Sequence, residues 1–252
     1  MPDKIALVTG GSRGLGRDMA LQLARDGHDV IITYQTRKEA ASEVEKEITG
    51  MGKKAACLKL DLNDIPALET FNKQFQQLLQ DRWQKTSFDF LINNAGIGAT
   101  IPFAQVTEPD FDSFMNIHFK SVYFLTQKLL PIMNDKGRVI NISTGTTRFC
   151  VPGYSVYASM KGAVEVFTRY LAKEVGARGI TVNVVAPGPV ATDFNNGGNR
   201  DNPERTKFLG SQTALGRVGV PEDIGGVISF LCSESGGWIN GQRIEVSGGI
   251  NL

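Results

Sequence analysis

The sequence predicts an α/β protein built on a doubly wound parallel sheet of about seven strands, with helices on both faces. Two observations predict it. Short apolar runs alternate with longer helix-periodic segments along the whole chain, and a glycine cluster lies where the first run gives way to the first such segment. Uninterrupted Val, Ile and Leu runs suit parallel strands covered on both faces. Strand and helix in alternation, joined by right-handed crossovers, wind into a single sheet.

The runs fall at 5–8, 30–32, 55–60, 88–92, 139–142, 181–185 and 244–246. Between the first two, Leu15, Met19 and Leu23 recur at helical spacing and stop at Gly27, a residue suited to end a helix. Beyond Ile65, the residues Leu68, Phe71, Phe75 and Leu78 keep a similar spacing. Thr107 with Asp110 forms a start signal for one long helix carrying Phe111, Phe114, Val122 and Leu125. No Pro/Ser-rich linker or internal repeat interrupts the pattern, so residues 1–252 are expected to form a single domain. The least regular stretch, 188–216, holds Asn195-Asn196-Gly197-Gly198-Asn199 and follows a strand end, where ligand-binding loops of such sheets lie. A mobile substrate lid is expected there; an inert surface loop is the alternative.

Composition excludes several classes of function. Of the 252 residues, 41% are hydrophobic and 21% charged, an ordinary globular balance. Lys and Arg number 27 against 26 Asp and Glu, a net charge of +1, so there is no broad basic field for nucleic acid or an anionic membrane. No apolar run approaches the ~18 residues of a spanning helix, and Met1-Pro2-Asp3-Lys4 leads straight into a strand pattern, so neither a membrane span nor a signal peptide is expected. Cys57, Cys150 and Cys232 stand apart from one another and from His28 and His118. Neither a disulfide framework nor a metal site is expected, and a reducing, cytoplasmic location fits.

The glycine cluster reads Thr9-Gly10-Gly11-Ser12-Arg13-Gly14-Leu15-Gly16. Gly10 permits a tight turn, Gly14 lets backbone N–H groups close on a pyrophosphate, and Gly16 lets the helix pack near the sheet. Sites for NAD usually carry an acidic residue about 20 positions further on, at the end of strand two. That count lands on Tyr34, which has no charge to repel a 2′-phosphate, while Arg13 and Arg37 are suited to bind one. NADP(H) is therefore expected over NAD(H). Tyr157 and Lys161 form a YxxxK pair whose side chains share a helix face. A phenol of pKa ~10 is a poor acid–base group at neutral pH, and a neighbouring ammonium is expected to draw it down. Tyr34 and Lys38 form a second such pair.

The spacing TGxxxGxG at Thr9–Gly16 resembles the signature of the short-chain dehydrogenase/reductase family, and the likeness runs along nearly the whole chain. Asp61-Leu62 is similar to the family's adenine-contacting pair. Asn93-Asn94-Ala95-Gly96 resembles its NNAG motif, Pro187-Gly188 with Thr192 its nicotinamide-side turn, and Ser247-Gly248-Gly249 its closing segment. The resemblance implies a Rossmann-type fold and hydride transfer between NADP(H) and a carbonyl/alcohol pair. Arg13 resembles the basic residue of the NADP(H) pattern. The resemblance also implies a hydroxyl partner 13 residues before the catalytic tyrosine, which is Thr144 for Tyr157 but Leu21 for Tyr34, so Tyr157 and Lys161 are the implied catalytic pair. Thr144 stands where the family has serine, with Ser143 one residue early; Thr144 is favoured and Ser143 stays open. His118 stands where the family has a catalytic asparagine that supports a water relay. A packed ring and a relay role are both open for His118, and Asn116 lies on another face.

Within the family the pattern is most like 3-oxoacyl-carrier-protein reductases and related ketone reductases, and a homotetramer is implied. A small-molecule carbonyl or alcohol is the expected partner. The alternative, motivated by positions 118 and 144, is a catalytically quiet NADP(H)-sensing protein.

Overall fold

The computed structural model describes residues 4–252; the first three residues, on which the absence of a signal peptide partly rests, lie outside the described residues. Seven strands are present: β1 (Ile5–Val8), β2 (Asp29–Tyr34), β3 (Ala55–Lys59), β4 (Phe88–Asn93), β5 (Met133–Ile142), β6 (Thr181–Pro187) and β7 (Arg243–Val246). They form one sheet in the order β3-β2-β1-β4-β5-β6-β7, and each neighbouring pair is parallel. The crossovers are made by α1 (Gly14–Arg25), α2 (Lys38–Gly50), α3 (Ala67–Trp83), α4 (Glu108–Met115), α5 (Ser121–Leu129) and α6 (Ser155–Val175). After β6 come two short helices, α7 (Gly198–Asp201) and α8 (Pro203–Ser211), then α9 (Glu222–Cys232).

The strands read as unbroken apolar runs because both faces are covered. In β1, Ile5 and Leu7 pack with Phe75, Phe88 and Leu125 on one side, while Ala6 and Val8 pack with Met19, Ile224 and Ile228 on the other. Both sets are solvent-free. A chain of buried amides crosses the first of these layers. Asn93 donates to Asn141 at 2.8 Å and to Thr126 at 3.0 Å, and Asn141 donates to Thr168 at 2.8 Å, so α5 and α6 are tied to the centre of the sheet.

Several elements differ from the pattern read in sequence. The long helix after Thr107 is interrupted by one π-helical turn, Asn116–Lys120, which separates α4 from α5. An extra residue in the turn re-aims the side chains around it, and such turns gather at functional sites. The start of α4 does carry the capping box: Thr107 Oγ1 accepts from the Asp110 N–H, and the Asp110 carboxylate accepts from the Thr107 N–H, each at 3.2 Å. Strand β5 begins at Met133, before its apolar run, and its pairing with β4 is irregular between Phe88 and Phe90. The intervening Asn134-Asp135-Lys136-Gly137 is polar and carries no hydrophobic signal. The 188–216 stretch is more regular than expected, because Asn202 caps α8 by accepting from the Arg205 N–H and Pro203 opens the helix.

Phe75 is fully buried, edge-on to Phe88 at 5.1 Å and stacked near Phe71 at 6.1 Å. Phe75→Ala is expected to cost about 3–5 kcal/mol, read as a lower urea midpoint at unchanged slope.

Candidate active site

The cleft opens where the strand order reverses, between the carboxyl ends of β1 and β4, the place such sheets bind ligands. Thr9 joins the two strands. Its hydroxyl accepts the N–H groups of Asn94 and Ala95, each at 3.0 Å, and its carbonyl accepts from Asn94 Nδ2 at 2.8 Å. The glycines let backbone close on this joint. Gly10 turns with φ of +66°, and a Cβ on Gly16 would fall 2.3 Å from the Gly10 carbonyl oxygen and 2.5 Å from Asn94 Nδ2. No other residue fits at position 16.

One continuous cleft brings the expected cofactor residues together. Gly10, Ser12, Arg13, Gly14, Leu15 and Gly16 line it from the first turn, Tyr34 and Arg37 from beyond β2, and Asp61 and Leu62 from beyond β3. Asn94, Ala95 and Gly96 follow β4, with Pro187, Gly188 and Thr192 after β6. Past β2 the wall is Tyr34-Gln35-Thr36-Arg37, without a carboxylate. Arg13 and Arg37 approach one another through a shared neighbour that the sequence did not single out, Asp193, at 3.3 Å from each.

At the other end stand Tyr157 and Lys161, one turn apart on α6. The Tyr157 ring sits among His118 at 5.1 Å, Phe194 at 6.0 Å, Tyr154 at 6.2 Å and Phe114 at 6.5 Å, measured between ring centres. Burial pushes its phenol above the ordinary tyrosine value, while a hydrogen bond with the Thr144 side chain pulls the other way. In the protein without cofactor, burial outweighs that bond. Lys161 is also buried, which lowers its ammonium to about 8, and it donates to the Ile142 carbonyl at 2.7 Å. Its Nζ lies 5.8 Å from the centre of the Tyr157 ring.

The two candidate hydroxyls part company. Thr144 keeps an extended backbone, φ −160° and ψ 154°, so its side chain and that of Ser143 diverge. Thr144 meets Tyr157. Ser143 also lines the cleft, but its Oγ donates to Glu165 Oε1 at 2.6 Å.

His118 lies in the π-helical turn with no solvent exposure. Its Nε2 meets the Ile97 carbonyl at 2.9 Å, and its Nδ1 has no partner. Burial, reinforced by the Lys161 charge, holds the ring well below the usual histidine range. The ring is thereby held neutral where it packs against Tyr157. Asn116 turns to Asn63 at 3.4 Å, outside the cleft.

Behind Thr144 lies a network that sequence reasoning missed. Glu165 Oε1 accepts from Ser143, from Thr147 at 2.7 Å and from Arg243 Nε at 2.9 Å, while Arg243 Nη2 donates to the Thr144 carbonyl at 3.1 Å. The available signal was the i, i+4, i+8 series Tyr157, Lys161, Glu165 on one helix. Among the described residues no group of three or more His, Cys, Asp or Glu is placed to hold a metal ion.

The fold and the cleft define a Rossmann-type dinucleotide-binding protein with a phenol and an amine at the reactive end. A family model described as enoyl-(acyl carrier protein) reductase matches residues 10–251. A hydroxynaphthalene reductase-like protein of Metarhizium brunneum is 35% identical over 257 aligned positions, covering 98% of this chain and 94% of that one. Among solved structures, the promiscuous reductase LugOII, described as catalysing keto-reduction at C1 during lugdunomycin biosynthesis, superposes with a TM-score of 0.94 at 36% identity, covering 99% of this chain and 98% of that chain. The angucycline C-6 ketoreductase LanV with bound NADP superposes at 0.93 and 37%, covering 98% and 95%. The chain belongs to the short-chain dehydrogenase/reductase family.

Gly16→Ala is expected to weaken NADPH binding at least about tenfold in a fluorescence titration, since the Cβ must displace the backbone of the glycine turn. Lys161 generates a pH dependence of stability. Its proton is held less tightly in the folded chain, at about 8 against 10.5, so folding is disfavoured below pH 8 and relieved as the pH rises toward 10.5. Lys161→Met is expected to show its largest stability advantage over the parent at pH 7, shrinking by pH 10, in urea melts at both values.

Proposed function

We propose that the protein is an NADP(H)-dependent reductase that moves a hydride between the nicotinamide and a ketone carried on a flat, polycyclic aromatic framework. One observation carries this: the Tyr157 phenol, the Thr144 hydroxyl and the Lys161 ammonium gather at one end of a cleft whose other end presents Arg13 and Arg37, with no carboxylate at the carboxyl end of β2 to oppose them. Solved relatives carry bound NADP or NADPH.

The residues fit the cofactor. The turn from Gly10 to Gly16 has no room for a Cβ at position 16, as a close-fitting pyrophosphate cradle requires. Arg13 and Arg37 would hold the 2′-phosphate of NADP(H), Asp61 and Leu62 its adenine, and Pro187, Gly188 and Thr192 its nicotinamide, over a floor of Asn94, Ala95 and Gly96. Bound NADPH supplies the hydride.

The chain's own side chains manage the oxygen. Tyr157, kept protonated by burial, donates its proton to the carbonyl oxygen as negative charge develops there. Thr144 Oγ1 accepts from the Thr146 N–H at 3.3 Å and lies 3.2 Å from the Thr146 hydroxyl; with Thr146 as donor in that second bond, the Thr144 proton is directed to the substrate oxygen. Lys161, anchored on the Ile142 carbonyl, keeps a positive charge behind the phenol and favours the transient phenolate. The retained hydroxyl at Thr144 argues against a catalytically quiet sensor.

The substrate end is walled by Ile97, Phe149, Val151, Tyr154, Phe194 and Leu209, an apolar and largely aromatic slot. Relatives named for hydroxynaphthalenes and angucyclines favour a ring ketone over the 3-oxoacyl thioester expected from the nearest family pattern. Residues 188–216 act as a mobile lid on this slot. Phe194 and Leu209 supply part of the wall, and Asn195 and Arg205 donate to the Tyr154 hydroxyl at 3.0 and 3.4 Å across the mouth. A homotetramer belongs to the same proposal: α6 exposes Val166 and Tyr170, the latter by 69%, and its Phe167 ring meets Tyr123 of α5 at 4.8 Å between ring centres. So does a cytoplasmic setting; no helix among the described residues is long and apolar enough to cross a membrane.

Tyr157→Phe is expected to lower kcat by about 10²–10⁴ while NADPH affinity stays within about twofold. The same assay, run on polycyclic aromatic ketones and on 3-oxoacyl thioesters, is expected to give the higher kcat/KM with the ring ketones. Retained turnover in the variant removes Tyr157 as the proton donor, and a preference for the thioester overturns the substrate class.

A further inference from the structure

Asp193, in the segment that follows β6, reaches across the cleft. Its Oδ2 lies 3.3 Å from Arg13 Nη1 and 3.3 Å from Arg37 Nη1, and its Oδ1 lies 2.7 Å from Arg200 Nη1. Arg13 and Arg37 are 180 and 156 residues away in sequence, so local chain geometry does not force the meeting. These two ion pairs join the substrate-side segment to the adenosine-phosphate side of the cleft.

The pairs with Arg13 and Arg37 are weak by construction. One carboxylate oxygen is shared between two guanidinium groups, the distances exceed the ~2.7–2.9 Å of strong charge-assisted bonds, and both arginine side chains are at least half exposed. A phosphate monoester carries about −1.5 to −2 charges and three acceptor oxygens, so it takes the same arginines from a carboxylate. Arg200 belongs to Asp193's own segment and is pinned by Asp201 through two bonds, at 2.7 and 2.8 Å. It keeps Asp193 paired once the other arginines are withdrawn. Beside it, Asn195, Asn196 and Gly197 are three successive left-handed residues, with φ of +52°, +58° and +71°. Asn and Gly tolerate that conformation and most residues resist it, which marks a hinge next to the contact.

We propose that Asp193 is a specificity-determining latch: it competes with the 2′-phosphate of NADP(H) for Arg13 and Arg37, so that uptake of the phosphate frees the 192–201 segment from the cofactor side, whereas NAD(H) leaves it tied. The proposal rests on the assignment of Arg13 and Arg37 to the phosphate. It adds a consequence for the lid: the phosphate, which is remote from the reacting carbon, governs how the substrate-side segment moves.

The experiment measures Kd for NADPH and NADH by fluorescence titration, and amide hydrogen exchange over 192–201 with each cofactor at saturation. It uses the full chain and the Asp193→Asn, Asp193→Ala and Arg13→Ala/Arg37→Ala variants. Removing the competitor is expected to tighten NADPH by about three- to tenfold, the scale of exposed ion pairs, with NADH changed less than about twofold. In the parent, exchange over 192–201 is expected to be faster with NADPH than with NADH, and the difference is expected to vanish in Asp193→Asn. Unchanged or weaker NADPH binding in both Asp193 variants overturns the latch, as does identical exchange with the two cofactors. The arginine double variant separates the two levels. If it leaves the NADPH/NADH ratio intact, the phosphate assignment itself fails; if it collapses the ratio while the Asp193 variants do nothing, only the latch falls.

Discussion

The constraint on which the site depends is the close approach of backbone to backbone at the carboxyl ends of β1 and β4. Parallel order reverses there, so two neighbouring strands send their chains in opposite directions and a crevice must open between them. Left open, the crevice would strand polar backbone groups. Thr9 and Asn94 close it from below by satisfying each other's main chain, and Gly16 lets α1 descend until nothing but a hydrogen fits beneath it. The floor of the cleft is thus made of main-chain atoms whose positions follow from the sheet. Side chains then need only decorate its rim.

That division explains what could be read in the sequence. The strands were legible because burial on both faces leaves no polar residue in β1 or in the middle of β4, and the glycine turn because a missing Cβ is a local property of the chain. Tyr157 and Lys161 were legible because a helix repeats every turn. The π-helical turn at Asn116–Lys120 was not, since no residue in it breaks a helical pattern; it is seen in the backbone, where the Ser121 N–H donates to the Asn116 carbonyl five residues back. The choice between Thr144 and Ser143 needed the backbone to remain extended past the strand, which spacing alone does not decide. Glu165 and Asp193 were invisible for another reason. Apart from Arg200, their partners lie 18 to 180 residues away, and no short window of sequence contains such a contact.

At the reactive end, burial and charge oppose each other usefully. Desolvation raises the phenol and lowers the ammonium, so the pair is drawn toward its neutral forms. Lys161 has a carbonyl rather than a carboxylate as its anchor, which holds its position without neutralising its charge. Burial, with the same charge added to it, keeps His118 neutral where its ring packs against Tyr157. Glu165 does its work one layer behind, where it binds Arg243 and the Ser143–Thr147 turn and so fixes the carbonyl and hydroxyl geometry of Thr144 without touching the cleft's reacting end.

The substrate end is assembled on a different principle. Its walls come from the loop after β4, the turn after β5 and the segment after β6, and their contacts across the mouth are single, exposed hydrogen bonds among Thr100, Tyr154, Asn195 and Arg205. Bonds of that kind contribute little each, so these walls separate at small cost. Phe149, Tyr154 and Phe194 bring broad faces and few rotatable bonds, which suits a flat guest held by area rather than by a dense set of polar contacts. The cleft floor is therefore written into main chain that the sheet cannot release, and the walls of the far end into side chains on segments that the sheet does not hold. A family built this way can change those walls without disturbing Tyr157, Lys161 or the glycine turn.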